Sequence, residues 1–244
     1  MSTSQAAVPP RSGLTTLVDI VVAPNQAFER LRIAPTWGWA WLVASILGMA
    51  GFALAIPASL HGVETGGPAL YAAQVQNLPA DQQQAAVGRI VSVTKTVVQI
   101  QWIFVPIIML IGSLIGTVVM LIGSTIARGD GTFKKLWALS INVGVVTVGL
   151  GLLVMGIICI VRGPASFVTP TDVQRSLPSL ALLAPGAGVK VQVFLATFNV
   201  FQLWATALLA LGMTVVARMN PVAAWITSLV MLFGMAALGA SFAR

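Results

Sequence analysis

Charge is the first thing this sequence is short of. Only 8% of its residues are Asp, Glu, Lys or Arg, while 57% are hydrophobic, a balance far outside that of soluble globular domains. It has one cysteine, Cys159, which excludes an intramolecular disulfide and any cysteine-based metal cluster. Cys159 falls in an apolar run and reads as a small buried thiol. Its one histidine, His61, stands near Glu64 without an acidic cluster, a poor start for a zinc site. Low-complexity tracts and internal repeats are also missing, so one membrane domain is the economical expectation. The first twelve residues, MSTSQAAVPPRS, lack the basic region, apolar core and cleavage site of a secretory signal, so the first apolar run is expected to act as the insertion signal.

Long apolar runs are what the sequence does have. Mean hydropathy is +0.94, and five runs, at about 37–56, 102–127, 136–161, 193–217 and 222–240, are long enough for a hydrocarbon core of roughly 30 Å at about 1.5 Å per residue. An all-α membrane protein with five transmembrane helices follows. The net charge of +7 does not imply nucleic acid, because the basic residues are scattered singly without an aromatic-interleaved patch. Anionic lipid headgroups account for them better. Arg128, Lys134, Lys135 and Arg218 crowd two very short connections, whereas Arg89, Lys95, Arg162, Arg175 and Lys190 are spread over two long loops. The positive-inside rule weights short loops, which puts the N-terminus inside and the C-terminus outside.

Ahead of the first run, residues 1–12 read as a disordered tail and 13–35 as interfacial amphipathic helices, with the five-helix domain over 36–244. Leu14, Leu17, Val18 and Val21 recur at helical spacing. Pro24 suits the first position of a second helix, where its missing N–H needs no partner. Pro35 disfavours helical geometry at Ala34 and ends that element. In APNQAFERLRIAPTW, Phe28 and Leu31 are expected to dip into the bilayer while Arg30 and Arg32 reach headgroups. Trp37, Trp39 and Trp41 then mark the boundary of the first span. In the outer loops, Asp81 is a candidate cap for a helix leading to the second span, and a short helix is expected after Thr171.

None of the five runs, turns at their edges aside, contains Asp, Glu, Lys, Arg or His. Such groups usually mark ion paths, proton relays or intramembrane catalysis. The loop carboxylates Glu64, Asp81 and Asp172 show no paired spacing, so no enzyme, no metal and no cofactor are expected. Buried Asn and Gln must find partners, and Asn142, Asn199 and Gln202 serve either as interhelical glue or as the lining of a polar cavity with Trp204 as one wall. Gly112 and Gly116 have the spacing of close helix approach and are expected to pack helices within the bundle. ARGDGTFKKLW, residues 127–137, lacks the Gly-Lys-Ser/Thr end of a phosphate loop. It reads as a tight inner turn in which Phe133 enters the interface and Lys134 and Lys135 meet headgroups.

Three patches together resemble the Yip (Ypt/Rab-interacting protein) domain family of five-span membrane proteins. The first is Pro24, Phe28 and Pro35 ahead of the first span. The second is the glycine-rich inner turn with Gly129, Gly131 and Phe133. The third is FNVFQLWATALLALGMTVVARMNPVAAW, where Phe201, Trp204 and Gly212 match and Asn199 stands where many relatives carry Asp. Eukaryotic members are implicated in vesicle traffic and bind prenylated Rab-type GTPases. The longer cytosolic N-terminal region of that type is not seen and the composition looks bacterial, where no Rab-type partner is expected. For a bacterial inner-membrane protein the resemblance implies a fold more than an activity. Amphipathic anchors without catalytic residues point to a non-enzymatic scaffold whose partners are the lipid bilayer and other membrane proteins or itself. The alternative is a small transporter, channel or lipid-moving protein with a polar pathway between spans three and four.

Overall fold

The computed structural model describes residues 13–243; the tail expected over 1–12 lies outside them. Two ten-residue helices open the chain, α1 (Gly13–Val22) and α2 (Pro24–Ile33), with Pro24 in the first turn of α2 as expected. There follow α3 (Gly38–Thr65), the short α4 (Gly67–Ala72) and α5 (Ala80–Ile100). A 3-10 turn, Gln101–Phe104, joins α5 to α6 (Val105–Ile126). Next come α7 (Phe133–Gly144), a π-helical stretch Val145–Gly151 and α8 (Leu152–Arg162). The chain ends with α9 (Val189–Ala196), α10 (Val200–Val216) and α11 (Pro221–Phe242). No strand forms among the described residues; a lone antiparallel bridge pairs Ser179 with Asn199.

Four helical runs are long and apolar enough to cross a membrane: Gly38–Thr65, Ala80–Ile126, Phe133–Arg162 and Pro221–Phe242. The run expected over 193–217 is not one helix. It breaks at Thr197 and Asn199 into α9 and α10, and α10 has 17 residues, about 25 Å of helix. Asn199 causes the break: its side chain accepts from the Phe201 and Gln202 amides, at 3.1 and 3.0 Å, so it starts a new helix rather than continuing the old one. The first run is longer than expected, since α3 passes through Pro57 to Thr65.

Two smaller expectations are also corrected. α5 is preceded by Pro79 at its cap position, with Asp81 inside the first turn. Directly after Thr171 there are turns, and the helical piece before Pro185 is a four-residue 3-10 helix, Leu180–Leu183. The Asp172 carboxylate accepts from the Val168 and Thr169 amides at 2.9 and 2.7 Å, a local bonding pattern that competes with helix formation.

Glycine sets the tightest crossing. α3 packs against α8 so closely that a Cβ on Gly51 would lie 2.2 Å from the Leu152 carbonyl oxygen, and one on Gly156 2.3 Å from the Gly51 oxygen. The pair expected to do this, Gly112 and Gly116, divides: a Cβ on Gly116 would meet Met231 and Ser140, whereas Gly112 faces open space. Small residues permit approach, but a facing helix has to be there.

The two short connections meet at one end of the bundle. The Asp130 amide donates to the Ala217 carbonyl at 2.7 Å, and Arg218 pairs with Asp130 at 3.4 Å. Gly129 and Gly131 fold back on the end of α6: the Gly131 amide donates to Ser124 Oγ at 3.1 Å. Side chains at either glycine would collide, with a Cβ falling 2.7 Å from the Ala217 oxygen or 2.5 Å from Ser124 Oγ.

Candidate functional site

The N-terminal helices dock at this same end. Ile20, Ala27, Phe28 and Leu31 are buried in one cluster with Leu136 and Leu139 of α7 and with Val216, Ala217 and Met219 around the end of α10. Phe28 and Leu31 are therefore core residues, a correction to their expected place in the bilayer. An apolar stripe goes wherever the largest apolar surface awaits it, and here that surface is protein. The outward positions of the two helices are Val18, Val22 and Ile33, at 63%, 76% and 77% exposure.

The charges of this region hold one another. Arg30 donates to the largely buried Asp19 carboxylate, clasping α1 to α2, so its guanidinium is engaged within the protein rather than free for a headgroup. Arg32 pairs with Glu29 at 2.7 Å, one turn away. Lys134 is exposed and Lys135 half-buried, and neither forms an ion pair among the described residues. Phe133 is half exposed and stacks on Trp137 with centroids 5.9 Å apart. Trp137 in turn meets Trp37 edge-on at 6.1 Å, so an aromatic row leads from the turn to the start of α3.

At that start lies a pocket of about 340 Å³ lined by residues 35–40 and Asn142. Asn142 is 2% exposed. Its amide nitrogen donates to the Thr36 carbonyl at 2.8 Å and to the Ala138 carbonyl at 2.7 Å. Asn142 thus ties α7 to the segment before α3, and it also lines a cavity.

The residues expected beside it are elsewhere. Asn199 caps α10 at the other end of that helix, a role that Asp fills as well and that is worth about 1 kcal/mol. Gln202 is half-buried in the first turn of α10. Trp204 is half-buried against the main core cluster, and Phe201 bridges two core clusters. Gly212 is packed against Leu139, whose Cδ1 would lie 2.3 Å from a Cβ. Pro35 lines the pocket. Nothing among the described residues gathers three or more His, Cys, Asp or Glu side chains in a way that could hold a metal. The pocket's use of the α3 N-terminus was missed in the sequence, although the Pro35-to-Trp39 stretch carried the signal: a proline stop and a fresh helix start without a capping side chain.

Known proteins place this architecture only broadly. The chain is similar to membrane protein YknW of Bacillus subtilis (strain 168), with 29% identity over 222 residues, which is 90% of this chain and 85% of that one. No known family profile matches it. No solved structure matches it either. Together with the four membrane-length apolar helices, the similarity to YknW decides the class. The chain is a multi-pass membrane protein. Its outward-facing side chains suit a bilayer: Ile107, Ile108, Ile111, Ile115, Val118 and Ile122 of α6 are each between 45% and 63% exposed, and such a stripe of large apolar groups is stable in lipid but not in water.

Proposed function

We propose that the chain is a bacterial inner-membrane protein of the Yip-domain type. It crosses five times, with α1, α2 and the two short basic turns on the cytoplasmic side and the C-terminus outside. In this reading α10 makes the fourth of the five crossings, its 17 residues spanning together with those of α9. Its function is non-enzymatic: it scaffolds protein partners or local bilayer structure on the cytoplasmic face.

The docked α1–α2 pair carries this reading. Its inner face is buried in the core through Phe28 and Leu31, while Val18, Val22 and Ile33 are left outward. Fixing two short helices by a clasped ion pair and a buried aromatic costs conformational entropy, and what it achieves is a preorganised surface at the bundle's end. A polar pathway would need Asn142, Gln202 and Trp204 to share one passage; the pocket that Asn142 lines is walled otherwise by residues 35–40.

The test is photocrosslinking in native membranes from a benzophenone residue placed at Ile33. A discrete protein, self or lipid adduct is expected, absent from the same probe at Gln84 on α5. Recovery of nothing above the Gln84 control would count against scaffolding by this surface.

A further inference from the structure

We infer that the pocket at the start of α3 is a phospholipid headgroup site, one that takes a phosphodiester bearing a neighbouring hydrogen-bond donor, such as an ethanolamine or glycerol headgroup. This goes beyond the scaffold reading and does not depend on it.

The first argument is donors. α3 is 28 residues long and starts without a side-chain cap. The amides of Gly38, Trp39 and Ala40 make no hydrogen bond among the described residues; the first backbone bond of the helix is Trp41 to Trp37. Those three residues line the pocket. Free amides at a helix start, reinforced by the helix dipole, favour an anion. The indole nitrogens of Trp37 and Trp39 are also unpartnered among the described residues, whereas Trp41 donates to the Pro106 carbonyl.

The second argument is an acceptor at the opposite wall. Both amide hydrogens of Asn142 are used, on Thr36 and Ala138, which leaves Oδ1 without a hydrogen bond among the described residues. It is not among the fully enclosed unpartnered atoms, so it keeps some accessible surface in a residue that is only 2% exposed, and the open space beside Asn142 is this pocket. A buried acceptor without a donor is costly. A headgroup ammonium or hydroxyl supplies that donor while its phosphate meets the α3 amides.

The third argument concerns source. No basic side chain lines the pocket, so nothing there would hold a free phosphate dianion against water. A phosphodiester carries a single charge and is delivered at this depth by the bilayer itself, beside Trp37 and Trp39, residues of the kind that settles at the headgroup level. The pocket's roughly 340 Å³ is at the small end of ligand sites, ample for a headgroup and not for an acyl chain.

Native mass spectrometry of the full chain released from micelles tests this, with short-chain phosphatidylethanolamine, phosphatidylglycerol and phosphatidylcholine titrated in parallel. One retained ethanolamine or glycerol lipid is expected, with phosphatidylcholine, which has no donor for Oδ1, held about tenfold more weakly. Asn142→Asp replaces the amide nitrogen that donates to the Thr36 and Ala138 carbonyls with an oxygen that those carbonyls repel, which pushes the acceptor off its wall, and is expected to weaken retention about tenfold. Trp39→Ala, at a half-exposed position that the fold tolerates, is expected to weaken it as well and decides the matter should Asn142→Asp fail to accumulate. Equal retention in wild type and Trp39→Ala, no preference over phosphatidylcholine, or displacement of the lipid by millimolar inorganic phosphate would each overturn the assignment; the last would identify a plain anion site instead.

Discussion

Gly51→Leu and Gly156→Leu are each expected to prevent the bundle from assembling. The two glycines let α3 and α8 touch backbone to backbone, and a Cβ at either would sit 2.2 to 2.3 Å from a carbonyl oxygen. Overpacking in a core usually costs about 1–3 kcal/mol because side chains can yield. Here the obstacle is main chain, part of a helix that cannot shift without carrying its neighbours, so the penalty exceeds that range. The π-helical Val145–Gly151 segment leads directly into the crossing, and Gly48 meets the Val148 carbonyl beside it at 2.9 Å from its own would-be Cβ, so the whole seam would open. Gly112→Leu is the matched control: its Cβ would meet nothing within 4 Å, and it should leave the thermal unfolding midpoint in detergent within a few degrees of wild type. A stable, monodisperse Gly51→Leu protein would show that the two helices do not cross as described.

Phe28→Ala is expected to free the N-terminal helices while leaving the membrane bundle standing. Phe28 is completely buried among α7 and α10 residues, and removing a buried phenylalanine costs about 3–5 kcal/mol. That exceeds what the Asp19 to Arg30 clasp can replace, because the clasp joins α1 to α2 and not to the bundle. The lone native thiol, Cys159, is buried, so a cysteine introduced at Ala27, itself inaccessible, reports on detachment alone. Maleimide labelling should be slow in the otherwise native chain and rise by roughly two to four orders of magnitude with Phe28→Ala, as a loss of about 3–5 kcal/mol in docking implies. Equal labelling with and without Phe28→Ala would place α2 off the core.

The contrast between these two regions shows what was legible in the sequence. The apolar runs were, because hydropathy over twenty residues reflects a solvent, and the solvent of a span is lipid. The α1–α2 stripe was legible as a stripe, but periodicity reports that a face is apolar, not whether lipid or protein covers it, and Phe28 went to protein. The Gly51 and Gly156 crossing was hidden because it joins positions far apart in the chain, whereas Gly112 and Gly116 stood in one window and attracted the expectation. Asn199 was misplaced for a related reason. Apolar residues lie on both sides of it, so a hydropathy window runs through the break, although its side chain is the N-cap that creates the break. At the candidate site Asn142 drew attention through its polarity alone, and its partner Thr36, in the connection between α2 and α3, is brought to it only by folding. The glycines of the short turn, Gly129 and Gly131, stood out only as a glycine-rich turn; the structure supplies a packing reason for them, contact with Ser124 and Ala217.

The central claim is that α1, α2 and both short turns share the cytoplasmic side and that α10 truly crosses. Single cysteines at Gly186 and Asn220, on either side of the segment containing α9 and α10, test it when built into a Cys159→Ala background and probed in intact cells with a membrane-impermeant maleimide. The account predicts labelling of Gly186→Cys from outside and of Asn220→Cys only after permeabilisation. Labelling of both from the same side would mean that α10 does not span, and labelling of Asn220→Cys alone in intact cells would invert the protein.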